Sequence, residues 1–269
     1  MPRSIWNGAI AFGLVNVPVR LYSATESKQV TFHQFEKGTK KRIDYRRFAE
    51  GTKREVDYAD IVKGYETSKG HYVMVTPKEL ESVEPGRSRT LDIEDFVRLE
   101  EIDPVYFEKT YYLEPVEGAE KAYALLVETM NDTGRVGVGR FVMRTKQYLA
   151  TVRPMGDALV LETMFFGDEV RDPKDLKLPT RTKVSPKEKR IATQLVESLT
   201  VPFDPDAYKD TYRRRVLALI RKKSRGQEVK VEAREEAPNI VDLMAALEAS
   251  LKDKHAAKRP AKRPTRKAS

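Results

Sequence analysis

A mixed, mainly β fold built on an antiparallel β-barrel core is what this sequence predicts, on three observations. The stretch Ser4–Tyr22, SIWNGAIAFGLVNVPVRLY, holds the only Trp of the chain and places apolar residues at near-alternate spacing. Residues 135–166 read as three strand-like runs with very short connections, which implies antiparallel pairing. Paired amphipathic helices appear only beyond Ser185, so helices form an appendage rather than the core.

In the opening stretch Ile5, Ala9, Ala11, Val15, Val17, Val19 and Leu21 are expected on one face. Gly8, Gly13 and Pro18 interrupt it, and such residues mark bulges, bends and edges, so two strands turning a barrel corner are expected. Arg3 followed by an apolar run superficially copies a secretory signal. Asn7, Asn16 and Pro18 inside the run, and its alternation, argue against one. No segment reaches the roughly 18 apolar residues of a membrane span, so a cytoplasmic protein without membrane contact is expected.

Next come Phe32, His33 and Phe35, the basic run KGTKKRIDYRRF, and EVDYADIVKGYE, a region weakly ordered by pattern. Short strands are expected over 71–75 and 89–99, with a brief helix in TPKELESV and a turn at Pro85-Gly86. A Tyr- and Phe-rich strand should cover 105–113. A helix should follow over 119–130, with Ala122, Leu125, Leu126 and Met130 on one face and a stop within 131–134. The meander then runs RVGVGRFVMRT, YLATVRP and ALVLETMFF, with turns expected at Lys146-Gln147 and at Met155-Gly156-Asp157.

The helical part begins with Ser185 as N-cap, Pro186 at the first position and Glu188 completing a capping box, followed by Ile191, Leu195 and Leu199. Pro202 and Pro205 break that helix. A second is expected over about 206–225, with Tyr208, Tyr212, Val216 and Leu219 as its apolar stripe, the pair forming an arm. Residues 226–238 read as a linker. In NIVDLMAALEASL, Asn239 can cap a helix with Ile240, Leu243, Met244, Leu247 and Leu251 on one face. A helix of about thirteen residues is marginal alone, so that face is expected to dock, on its own domain or, as the flanking linker and tail favour, on a partner protein. The segmentation is thus 1–184 for the core, 185–225 for the arm, 226–251 for linker and docking helix, and 252–269 for a disordered basic tail.

Charge points to a polyanionic partner. The chain carries a formal +9, of which residues 252–269 hold +7, leaving +2 for residues 1–251. The repeated Lys-Arg-Pro of the tail offers Lys258, Arg259, Lys262 and Arg263 to phosphate backbones without sequence readout. Within the body, residues 37–54 have eight basic and two acidic side chains, whereas 77–120 have five and thirteen, so a basic and an acidic face are expected. Arg135, Arg140, Arg144, Lys146 and Arg153 follow with no intervening acid. One sign shared by several strands favours a surface that meets phosphate over a merely solvated one.

Chemistry of other kinds is poorly supplied. There is no Cys, and His33, His71 and His255 are too scattered for a zinc site, so no metal and no cofactor is expected. Gly134, Gly137 and Gly139 lack the Lys-Ser or Lys-Thr of a phosphate-binding loop. Asp92, Glu94 and Asp95 would suit a two-metal nuclease, yet an acidic strand edge explains them more simply. A binder, not an enzyme, is expected.

Several long motifs in order, IWNGAIAFGLVNVPVRLYSAT, FHQF, RIDYRRF, EVDYADIVKGYE, FDPDAYKDTYRRRV and DLMAALEASL, resemble the bacterial Ku family from residue 4 to about 251. The resemblance implies a homodimer whose barrels and connecting bridge encircle double-stranded DNA ends. It further implies recruitment of a multifunctional ATP-dependent DNA ligase for non-homologous end joining, with the C-terminal segment in ligase contact and the basic tail adding DNA affinity. On that reading Lys40, Lys41, Arg42, Arg46, Arg47, Arg140, Arg144 and Arg153 line the ring and contact phosphates, none reading bases. Many relatives carry a Cys-x-x-Cys pair where this chain has Ala49 and Thr52, so any zinc site there is lost and the turn must be held by packing and hydrogen bonds. The competing expectation is an architectural DNA- or RNA-coating protein acting through its basic arm and tail.

Overall fold

In the computed structural model, which describes residues 3–83, 89–144, 146–179, 182–227 and 250, the chain divides into two units. One comprises residues 1–28 with 32–175, the other residues 29–31 with 176–269. The docking helix residues Ile240, Leu243, Met244, Leu247 and Leu251, the tail residues Lys258, Arg259, Lys262 and Arg263, and the Pro85-Gly86 turn lie outside the described residues.

The first unit is organised by the hairpin of β1 (Trp6–Phe12) and β2 (Val15–Ser23), joined through Gly13 in the left-handed region at φ 57°. Its register pairs Ile10 with Val17, Gly8 with Val19 and Trp6 with Leu21. Odd positions of β2 therefore face the same side as even positions of β1. The inward residue of β1 is Ile10, fully buried like Val17, Val19 and Leu21, while Ile5 is exposed. The single face expected over Ile5, Ala9 and Ala11 is thus corrected: a two-residue turn reverses the phase of alternation, and those residues point the other way. Pro18 costs no ladder bond. Pairing of β2 to its other neighbour starts at Val19, and the Pro18 carbonyl accepts a hydrogen bond from the Val116 N–H.

Strands β3 (Lys63–Ser68) and β4 (His71–Val75) form a separate exposed two-stranded sheet, followed by α1 (Pro77–Val83). The barrel resumes with β5 (Thr90–Arg98) and β6 (Phe107–Pro115). The latter starts later than expected because Asp103 caps a 3-10 turn at Pro104, its carboxylate accepting from the Val105 N–H. Helix α2 (Glu120–Thr133) ends at Gly134, φ 61°, within the stop expected for it. Strands β7 (Arg135–Met143), β8 (Lys146–Met155) and β9 (Ala158–Met164) form the expected meander. Met143 pairs with Lys146, so the first turn begins at Arg144 and Lys146-Gln147 belong to β8.

These strands close in the order β1-β2-β6-β9-β8-β7-β5. All neighbours are antiparallel except the closing pair, β1 with β5, which is parallel from Ala9–Thr90 to Ala11–Asp92. A parallel pair needs a long connection, and the excursion through residues 24–89 supplies it. Inside lie Ile10, Leu21, Leu91, Phe141, Leu159 and Leu161, each contributing roughly 2 kcal/mol by burial. Helix α2 packs on β7 and β8, burying Tyr123, Leu126, Val127 and Met130. The Tyr123 hydroxyl donates to the Leu113 carbonyl at 2.7 Å and accepts from the Leu159 N–H at 2.6 Å, tying helix to barrel. Leu125, expected inward, is exposed: the buried stripe is rotated toward Tyr123 and Val127.

The second unit holds α3 (Pro186–Leu199) and α4 (Thr211–Ser224). Both halves of the Ser185–Glu188 capping box are made. Helix α4 starts at its N-cap Asp210 rather than near 206, because Asp204 and Pro205 form a separate 3-10 turn. Tyr208 and Tyr212 of the expected stripe are largely exposed, as are Phe203 and Val201. No helix among the described residues is long and apolar enough to cross a membrane.

Candidate nucleic-acid interface

Residues 34–56 fold into two successive turns of the same construction, thirteen residues apart in sequence. Isolated β-bridges close them, Phe35 with Arg42 and Phe48 with Glu55. The Glu36 N–H donates to the Lys41 carbonyl and the Ile43 N–H to Gln34; correspondingly Ala49 donates to Arg54 and Val56 to Arg47. Gly38 and Gly51 both take positive φ, 95° and 71°. Thr39 and Thr52 each accept at Oγ1 from the backbone N–H two residues on, Lys41 at 3.3 Å and Arg54 at 3.2 Å. These hydrogen bonds hold the Ala49–Thr52 turn, with the Thr52 hydroxyl also donating to the Ala49 carbonyl.

Each turn presents cations at its tip: Lys40, Lys41 and Arg42 on the first, Lys53 and Arg54 on the second, all exposed. Among the described residues none of these five side chains forms an ion pair. Lys40 sits at φ 56°, an uncommon conformation for a residue with a Cβ. Arg46 instead bonds Glu55 at 3.2 Å, and Arg47 lies over the Tyr58 ring, 5.4 Å from its centroid. Lys53 and Arg54 are the residues that sequence reasoning passed over. The signal was available as the repeat Phe-x-x-Gly-Thr-Lys at 35–40 and 48–53.

The barrel arginines are differently placed. Arg140 is clamped to Glu94 by two hydrogen bonds of 2.7 and 2.9 Å, which holds the Glu94 carboxyl below the ordinary glutamate range. Arg153 makes the same fork to Glu162 at 3.1 and 2.8 Å, with side chains only 24% and 11% exposed. Arg144 is exposed in the β7–β8 turn at φ 61°. The structure therefore groups Lys40, Lys41, Arg42, Arg46 and Arg47 on one pair of turns, and puts Arg140, Arg144 and Arg153 on barrel strands and a turn. Of the acids with nuclease potential, Glu94 is taken up by Arg140, and a register shift between Ile93 and Asp95 separates Asp95 from the alternation of Asp92 and Glu94.

The family model described as the Ku70/Ku80 β-barrel domain matches residues 11–193. Curated relatives align over nearly the whole chain. The non-homologous end joining protein Ku of Anaeromyxobacter sp. strain K is 46% identical over 253 residues, 93% of this chain and 86% of the relative. That of Heliobacterium modesticaldum is 42% identical over 253 residues, covering 93% and 91% of the two chains. The Bacillus subtilis protein of the same name is 35% identical over 253 residues, covering 93% and 81%. With a closed seven-stranded barrel and matches of this length, the chain belongs to the Ku family.

Proposed function

We propose that this protein binds double-stranded DNA ends without sequence preference, as a homodimer that encircles the duplex, and serves non-homologous end joining. The observation that carries this reading is the pair of repeated, cation-tipped turns in a chain whose relatives are named for end joining. Such turns offer exposed positive charge to phosphates, the contact that positions a duplex without carrying sequence information. Lys40, Lys41 and Arg42 contact the backbone, with Lys53 and Arg54 as the repeat equivalents of Lys40 and Lys41. Arg46 and Arg47 flank them. Arg144 extends the contact, whereas Arg140 and Arg153 act chiefly by fixing the strands through Glu94 and Glu162. Exposed apolar residues of α4 are the surface through which the second copy is held. The face of Ile240, Leu243, Met244, Leu247 and Leu251 docks the ATP-dependent ligase, and Lys258, Arg259, Lys262 and Arg263 add sequence-independent affinity.

The test is a gel-shift competition at fixed moderate salt between linear duplex and a covalently closed circle of identical sequence. Linear DNA should win strongly, and lose its advantage when both ends carry bulky caps. Equal competition sinks the reading. A DNA- or RNA-coating protein acting through its basic arm and tail remains the second reading because that tail carries most of the net charge. Truncation after Leu251 separates the two: an end-loading ring keeps its preference for ends, and a tail-driven coater loses most of its affinity.

A further inference from the structure

The mouth of the barrel beside the β1 entry carries a cavity of about 340 Å³ whose lining includes Arg89, Arg144, Ser4 and Asn7 and, among the described residues, no carboxylate. Its apolar wall is Trp6, fixed because the indole N–H donates to the Val142 carbonyl at 3.0 Å. Arg89 is positioned by the backbone: its carbonyl accepts from the Ala9 N–H at 2.8 Å where the parallel pairing of β1 and β5 begins. Gly8 lies directly beneath, and a Cβ there would meet the Arg89 carbonyl at 2.1 Å. Arg144 adopts φ 61°, a conformation that residues with side chains rarely take and that clusters at functional sites. Neither arginine forms an ion pair among the described residues.

Two arginines with a serine and an asparagine, lining a hollow that no carboxylate enters among the described residues, match a small, compact anion with several oxygens. A backbone phosphodiester offers one charge and runs past on both sides. A phosphate monoester is a near-dianion with three free oxygens and ends there, so it fills a hollow that a continuing chain does not. We infer that this cavity binds a phosphate monoester, the terminal phosphate of a DNA end. The inference rests on the end-binding reading above and adds that the protein distinguishes phosphorylated from unphosphorylated termini.

The experiment compares duplexes of identical sequence, capped at one end and bearing either a 5′-phosphate or a 5′-hydroxyl at the other. The wild-type chain should prefer the phosphorylated end about tenfold, the size of a charge-assisted contact. Arg89→Gln should abolish the preference while leaving affinity for the hydroxyl end unchanged, and Arg89→Lys should restore part of it. Arg144→Gly, which suits the left-handed backbone, should remove the preference and also weaken both ends. Indifference of the wild type to the phosphate, or equal weakening of both ends by Arg89→Gln, overturns the inference. A second arm measures thermal stabilisation by inorganic phosphate, expected in the wild type and lost in Arg89→Gln. If linear DNA shows no advantage over a circle, end binding has failed; stabilisation by phosphate then still supports a monoester site, and its absence overturns that too.

Discussion

At the scale of single residues, the barrel depends on positions where a side chain has no room. A Cβ on Gly139 would lie 2.0 Å from the Asp92 carbonyl oxygen and 2.9 Å from the Ile93 Cα, both backbone atoms that cannot swing aside. Gly139→Ala should therefore cost about 3 kcal/mol, seen as a lower urea midpoint, with DNA affinity of the remaining folded fraction intact. The Arg153–Glu162 fork makes a second demand. Glu162→Gln leaves a largely buried guanidinium facing a neutral amide, and should lower stability by about 2 kcal/mol. Equal urea midpoints for this variant and the wild type would refute the structural role given to the pair. Neither dependence was legible in the sequence. Gly139 reads only as a strand glycine, and Arg153 reads as one more cation of a basic stretch until the register puts it opposite Val160, two residues from Glu162.

At the scale of elements, local chemistry was readable and cross-strand phase was not. Ser185, Pro186 and Glu188 announce α3 because capping is decided within four residues. The hairpin of β1 and β2 was readable as strands, but its facing depends on the turn length: Gly13-Leu14 inverts the alternation, and Ile10 rather than Ala9 enters the core. The two cation-tipped turns were visible as a basic run, yet their kinship needed the backbone pairing to reveal it. Electrostatics of the strand pair β5–β7 give a pH prediction. Hydrogen bonding from Arg140 holds Glu94 below its ordinary value of 4.5, and hydrogen bonding from Ser185 does the same for Glu188. A carboxylate whose folded pKa is depressed stabilises fully above the unfolded value, and that contribution is lost as pH falls through the folded one. Acidification below about pH 4.5 should thus lower the urea midpoint, and Glu94→Gln should show a shallower fall over the same window. A variant with an identical pH profile would remove the Glu94 pair from the account.

At the scale of the whole molecule, the proposed function gives the arm and the basic turns separable contributions to binding. Tyr212 is 77% exposed, and Leu219 and Ile220 are 37% and 38% exposed, on a helix whose remaining surface carries Arg213–Arg215 and Arg221–Lys223. Apolar surface of that kind on a charged helix is what a second copy would cover. Leu219→Asp with Ile220→Asp should shift the protein from dimer to monomer in analytical ultracentrifugation and, because a monomer cannot close around a duplex, abolish the advantage of linear over circular DNA. Residual binding should persist through the basic turns and tail, and log affinity should still fall linearly with log salt. Neutralising Lys40 and Lys41, or Lys53 and Arg54, in the otherwise intact dimer should do the reverse. Each pair should reduce the salt slope by about 2, the two reductions adding, while preference for ends survives. A dimer-breaking variant that still selects ends would detach end recognition from encirclement. A Lys53, Arg54 double variant with an unchanged slope would confine phosphate contact to the first turn and leave the repeat as a device of folding alone.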